Sequence, residues 1–158
     1  MDLKTARNIH RIFKGRGLTL SLAESCTAGL ISHYLTTVPG ASSIFAAGVV
    51  TYSADAKKRI LGIPQKVLDT HGIVSEETAR QMARRVRSLT KTDVSVSITG
   101  NLGPDVLENK PRGLVYVAVS TKKWTVATKL MLKGTRKQIK ETAVIGALSF
   151  LAEIMAHD

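Results

Sequence analysis

Ser25 ends an apolar β-type run, Leu20-Ser21-Leu22-Ala23-Glu24, and a helical pattern begins directly after it. A hydroxyl at such a junction lies beside the free amides and partial positive charge of a helix's first turn, donors suited to an anion or a developing oxyanion. Ser25 is therefore a candidate nucleophile, with an N-cap role for Ser25 or Thr27 as the competing reading. A serine nucleophile needs a base, and His10, His33, His71 and His157 all fall in helical or connecting segments without a Ser-His signature. A lysine is the alternative, provided burial and neighbouring positive charge keep its amine neutral near pH 7. Lys57 precedes Ile60 and Leu61 by three and four residues, on the apolar face of a short helix, whereas Lys58 meets only one of them. Its competing reading is a surface lysine laying its stem along apolar surface. Tyr52, five residues earlier, could relay a proton or orient the amine, or serve as an amphipathic packing residue.

A third segment with chemical potential is Thr99-Gly100-Asn101-Leu102-Gly103-Pro104, a loop of turn formers behind an alternating run. Its glycines form neither a Walker nor a dinucleotide fingerprint, so neither ATP nor NAD is expected as a cofactor. Metal catalysis lacks a His pair at i, i+4, and the single cysteine, Cys26, cannot make a CxxC site. Cys26 reads as filler of a small buried volume, and its solitary state suits a reducing compartment.

The elements that must position these groups follow from periodicity. Helix is expected over 3–14, closed by Gly15-Arg16-Gly17, then a strand over Leu18 to Ala23 and a helix over Gly29 to Thr37. Ile44 to Tyr52 reads as a buried strand, and Ser53 caps a short helix running to Leu61. A long helix should start near Ser75, with Ala79, Met82, Ala83, Val86 and Leu89 as its buried stripe. Strands follow at Val94 to Ile98, Leu114 to Ser120 and Thr125 to Leu132, the last two forming a hairpin across Thr121-Lys122-Lys123-Trp124. A final helix carries Ile139, Ala143, Gly146, Ala147, Phe150, Leu151 and Ile154 on one side. The expected fold is α/β: a three-layer α/β/α sandwich around a mixed, mostly parallel five-stranded sheet with one antiparallel member. Ligands in such sheets bind at strand ends, where Ser25, Tyr52 to Lys57, and Thr99 to Pro104 all fall.

At 158 residues and 44% hydrophobic content, the chain suits one core and a single domain over 1–158. No run approaches a membrane span and none of the first residues form a signal h-region, so a soluble cytoplasmic protein is expected. A net charge of +11 favours anionic partners, nucleotides and phosphorylated metabolites among them. Only 4% of residues are Phe, Trp or Tyr, which argues against single-stranded nucleic acid as a partner.

Ala23-Glu24-Ser25-Cys26-Thr27-Ala28-Gly29 resembles the AESCTGG signature of the CinA C-terminal domain family, which includes stand-alone nicotinamide-nucleotide amidohydrolases. Gly48 to Lys57 is similar to its GxVTYSNEAK segment, and Leu61-Gly62-Ile63-Pro64 with His71 to Ala79 to its LGV and HGAVSEETA segments. The resemblance spans nearly the whole chain. It implies hydrolysis of the carboxamide of nicotinamide mononucleotide to nicotinate mononucleotide and ammonia, in pyridine nucleotide salvage and without a metal or cofactor. Ser25 would attack the amide carbon, with Lys57 as base assisted by Tyr52. Substrate-binding positions would be Cys26, Thr27, Thr99, Gly100, Gly103, Arg136 and Lys140, Arg136 holding the phosphate and Lys140 replacing a second arginine. First-turn amides after Ser25 would stabilise the tetrahedral intermediate. The resemblance leaves homo-oligomer formation open.

One departure stands out. The family's TGIAGPGGGT-like loop appears here as Thr99 to Asn109 without the glycine run, so Val106 and Leu107 carry side chains and Glu108 a negative charge near an anionic substrate. A catalytically silent or re-specialised nucleotide-binding or regulatory module is therefore the alternative expectation.

Overall fold

A computed structural model describes residues 3–157. Helix α1 (Lys4–Arg16) closes on Gly17 in the left-handed conformation, which accommodates the turn into β1 (Leu20–Glu24). Helix α2 (Leu30–Thr37) and a 3-10 turn (Ala41–Ser43) lead to β2 (Phe45–Val50). Ser53 accepts from the Ala56 amide and caps α3 (Ala54–Leu61). Helix α4 (Gln65–His71) precedes α5 (Glu76–Thr90), which Ser75 caps through the Thr78 amide. Then come β3 (Val94–Gly100), β4 (Leu114–Ser120), β5 (Thr125–Met131) and α6 (Arg136–His157).

The five strands form one sheet in the order β2-β1-β3-β4-β5, with β1 parallel to both β2 and β3, and β4 antiparallel to both β3 and β5. Only β4 runs against the rest, as expected. Helices α1, α2 and α6 cover one face, around Ile9, Phe13, Leu22, Val117 and Leu151. Helix α5 crosses β3, β4 and β1 on the other face, with α3 and α4 packed beside it. Ser95 and Ser97 point to that helix and donate to the Ala83 and Ala79 carbonyls, so buried hydroxyls are satisfied at a close contact with small residues.

Four expectations need correction. β2 is not buried: it is an edge strand whose residues alternate between half-buried and exposed, because only β1 flanks it. Leu89 is 57% exposed: it shares the face of Met82 and Val86 but lies in the last turn of α5. Helix α4 was not foreseen; it has only seven residues and a single buried one, Leu68, too little periodicity to register. Finally, the helical pattern does not start directly after Ser25: α2 begins at Leu30, within one residue of the expected Gly29, and Ser25 to Gly29 form a separate turn.

Candidate active site

Parallel β1 and β3 end side by side, Glu24 opposite Ile98, and this end of the sheet assembles the site. Ser25 follows β1 directly, and its amide donates to the Ile98 carbonyl at 3.0 Å, so the serine's backbone is held by the neighbouring strand. From the other side, Thr51 donates its amide to the Glu24 carbonyl at 2.9 Å, fixing the exit of β2 and the start of the segment leading into α3.

Lys57 enters from α3. Its side chain is fully buried, and its Nζ lies 2.8 Å from Ser25 Oγ and 2.7 Å from the Thr51 carbonyl oxygen. Burial without a carboxylate contact lowers its pKa to about 8, against weaker raising effects of Cys26 and Glu108. Neighbouring positive charge, expected to help, plays no such part. Of the two apolar residues expected to share the helix face of Lys57, Leu61 is buried and Ile60 is half exposed. Cys26 is buried next to the lysine, and burial pushes its thiol up to about 12, so it stays protonated and unreactive at neutral pH.

The carboxylate of Glu24 settles what the helix terminus does. Its Oε2 accepts from Thr27 Oγ1 at 2.6 Å and from the amides of Gly29 and Ile31, while Oε1 accepts from the Ser32 amide and hydroxyl. An internal anion therefore fills the N-terminus of α2, where free first-turn amides were expected for an oxyanion. The amides left to serve Ser25 are those of its own turn. Thr27, expected to bind substrate, is fully buried with its hydroxyl committed to Glu24.

A cleft of about 200 Å³ opens in front of Ser25, lined by Cys26, Tyr52, Thr99, Gly100, Gly103 and Arg136, with Ile73, Val74, Asp105 and Leu107 contributing. Tyr52 is 55% exposed and sits at the mouth. Its hydroxyl accepts from Arg136 at 2.8 Å and makes no bond to Lys57, so it orients the guanidinium instead of the amine. Arg136, the first residue of α6, also donates to the Gly103 carbonyl. Lys140, one turn later, does not line the cleft, although its charge is felt at Cys26. Thr99 donates to the Ile73 carbonyl at 2.7 Å and so ties β3 to the segment before α5. Gly100 answers a packing need: a Cβ there would stand 2.7 Å from Val115 on β4.

The divergent loop is ordered by two residues that sequence reasoning passed over or misjudged. Asn101 is buried; its amide group donates to the Leu107 and Lys110 carbonyls and its Oδ1 accepts from the Leu107 amide. An asparagine between a glycine and a leucine gave no distinguishing signal. Glu108, expected to stand against an anionic substrate, is instead neutralised: it accepts from the Ile73 amide at 2.6 Å, the Val74 amide at 3.2 Å and Lys110 Nζ at 3.0 Å. Burial raises its pKa, but these donors outweigh burial and hold it below the usual carboxylate range. Among the described residues no group of three His, Cys, Asp or Glu side chains converges as a metal site, and no helix is long and apolar enough to cross a membrane.

Compared with known proteins, residues 2–155 match the CinA C-terminal domain. A competence-damage inducible protein of Caldanaerobacter subterraneus subsp. tengcongensis is 46% identical over 142 residues, 89% of this chain and 34% of that protein. Its counterpart in Desulforudis audaxviator is 44% identical over 141 residues, again 89% and 34%. The chain thus spans about a third of the length of the curated relatives it matches. Among solved structures, competence damage-inducible protein A from Klebsiella pneumoniae superposes with a TM-score of 0.95 at 29% identity, covering 98% of this chain and 97% of that one. The competence/damage inducible protein CihA from Agrobacterium tumefaciens gives 0.90 at 36% identity, covering 94% and 92%.

Proposed function

The chain belongs to the CinA C-terminal domain family, and we propose that its cleft hydrolyses the carboxamide of nicotinamide mononucleotide to nicotinate mononucleotide and ammonia. The observation that carries this reading is a fully buried Lys57 Nζ placed 2.8 Å from Ser25 Oγ. A lysine buried beside a hydroxyl, with its pKa brought down to about 8, has the geometry and proton affinity of a general base near neutral pH.

In the proposed reaction, neutral Lys57 accepts the Ser25 hydroxyl proton as Oγ adds to the amide carbon. The carbonyl oxygen becomes an oxyanion, held by amides of the turn that carries Ser25, at about 3 kcal/mol per donor. The Lys57 ammonium returns the proton to the amide nitrogen as the C–N bond breaks and ammonia leaves. Water, deprotonated by the same amine, then cleaves the acyl-serine ester and restores Ser25. The Thr51 carbonyl keeps the amine aligned through both halves. Arg136 at the mouth binds the nucleotide phosphate, exchanging its contact to the Gly103 carbonyl for phosphate oxygens while Tyr52 keeps the guanidinium oriented.

The test is ammonia release from nicotinamide mononucleotide by wild type and Ser25→Ala side by side. Release by wild type alone, with binding to the variant retained within a few-fold, supports the reading; a fully active alanine variant overturns it.

A second reading, a catalytically silent nucleotide-binding or regulatory module, draws on Glu108. Its carboxylate occupies the Ile73 and Val74 amides, two residues that line the cleft, so an anion of the chain's own already fills that wall. Nucleotide-dependent thermal stabilisation without turnover by either protein favours this reading.

A further inference from the structure

The end of the sheet opposite Ser25 carries a second concave feature. There β4 returns as β5 through Thr121–Trp124, and the turn is satisfied internally, with Thr121 Oγ1 accepting from the Lys123 and Trp124 amides. The hairpin faces the second half of α5, to which it is tied by Arg84 Nε donating to Thr125 Oγ1 at 3.2 Å. Between them lies a cleft of about 260 Å³ lined by Arg84, Arg87, Lys122, Lys123, Trp124 and Thr125, together with neighbouring hydroxyls. Arg84 and Arg87 are three residues apart and share one helix face. No carboxylate lines this cleft among the described residues. Asp93, which feels the charge of Lys122, is committed to the Thr19 amide and hydroxyl. Arg87 Nε is buried and has no hydrogen-bond partner among the described residues.

From this cleft we infer a binding site for a small oligophosphate, the di- or triphosphate portion of a metabolite. Four cations with no facing acid exceed the roughly −2 charge of a single phosphate. Paired guanidinium groups match phosphate oxygens in a fork that carboxylate-free surroundings leave open. The indole of Trp124 supplies one aromatic wall and no succession of stacking platforms, which separates the site from a nucleic-acid groove. The inference is independent of the chemistry at Ser25.

The experiment is calorimetric titration of the whole chain with tripolyphosphate, pyrophosphate and orthophosphate at fixed ionic strength. Tripolyphosphate is expected to bind at least about tenfold more tightly than orthophosphate, and Arg84→Glu or Lys123→Glu, both on exposed side chains, to weaken it by about tenfold or more. Lys14→Glu on α1 makes the same charge change elsewhere and should alter binding by less than about twofold. Equal losses in all three variants overturn the site in favour of bulk charge. Loss in Arg136→Ala, with Arg84→Glu unaffected, moves the ligand to the Ser25 cleft and overturns it too. Tighter binding of a single-stranded oligonucleotide than of tripolyphosphate at matched salt replaces the oligophosphate with a nucleic-acid backbone.

Discussion

Gly72 and Glu108 approach so closely that a Cβ at position 72 would stand 2.4 Å from Glu108 Oε2. Gly72 also has φ +80° and ψ 172°, a conformation that side chains resist. The glycine ahead of α5 is therefore matched to the carboxylate of the divergent loop. Gly72→Ala is expected to expel Glu108 from the Ile73 and Val74 amides, and Glu108→Ala to remove it outright. Each should cost about 2 kcal/mol, with the double variant at least about 1 kcal/mol less damaging than the sum. Urea unfolding of the four proteins measures this, and strict additivity would show the two positions to be independent.

Lys57 makes both stability and turnover depend on pH, turnover through its folded pKa and stability between its folded and ordinary values. Its folded pKa of about 8 lies below its ordinary 10.5, so between these values the unfolded chain holds a proton that the folded chain has lost. Stability contributed by this group accordingly rises with pH across that window and is at its lowest below it, by on the order of 3 kcal/mol in total. The stability of wild type relative to Lys57→Met should climb from pH 8 towards pH 10.5, and a flat difference would contradict the burial argument. Turnover by wild type should rise through about pH 8 as the amine is freed, and Lys57→Met should stay inactive at any pH.

Glu24 holds five donors at the start of α2, three of them amides. Glu24→Ala leaves these buried groups without an acceptor and is expected to destabilise the protein by about 3 kcal/mol or more. A loss below about 1 kcal/mol in a denaturant titration would mean that water replaces the carboxylate readily.

Tyr52 meets Arg136 and not Lys57, which separates two roles kinetically. Tyr52→Phe is expected to raise KM for the nucleotide by about threefold and leave kcat near wild type, because it loosens a phosphate ligand and not the base. Arg136→Ala should raise KM by about tenfold or more. A fall in kcat with KM unchanged for Tyr52→Phe would restore the tyrosine to the proton-transfer apparatus.

Strand order within the sheet was not written in the sequence, but its five strands and the lone reversed one were, because periodicity and the short 121–124 connection report local structure directly. Ser25 and Lys57 were legible as well: one marks a strand end, the other is a lysine in line with Leu61. What stayed hidden depends on distance along the chain. Glu24 reads as an ordinary acid until Gly29, Ile31 and Ser32 fold back onto it. Glu108 reads as an unwelcome charge until Ile73 and Val74, more than thirty residues earlier, supply its donors. Tyr52 belonged by motif with Lys57, yet a strand end half in solvent leaves its hydroxyl free to reach Arg136, 84 residues away.

The bond from the Ser25 amide to the Ile98 carbonyl sets an order of events during synthesis. By the time α3 has left the ribosome, Ser25 and Lys57 both exist, but β1 still has one naked edge. β3 must insert beside β1 before the serine's backbone is anchored, and α6 must then dock before Arg136 reaches Tyr52 and Gly103. A nascent chain thus holds Ser25 and Lys57 long before it holds the whole cleft, and α6, which emerges after all five strands of the sheet, completes the mouth.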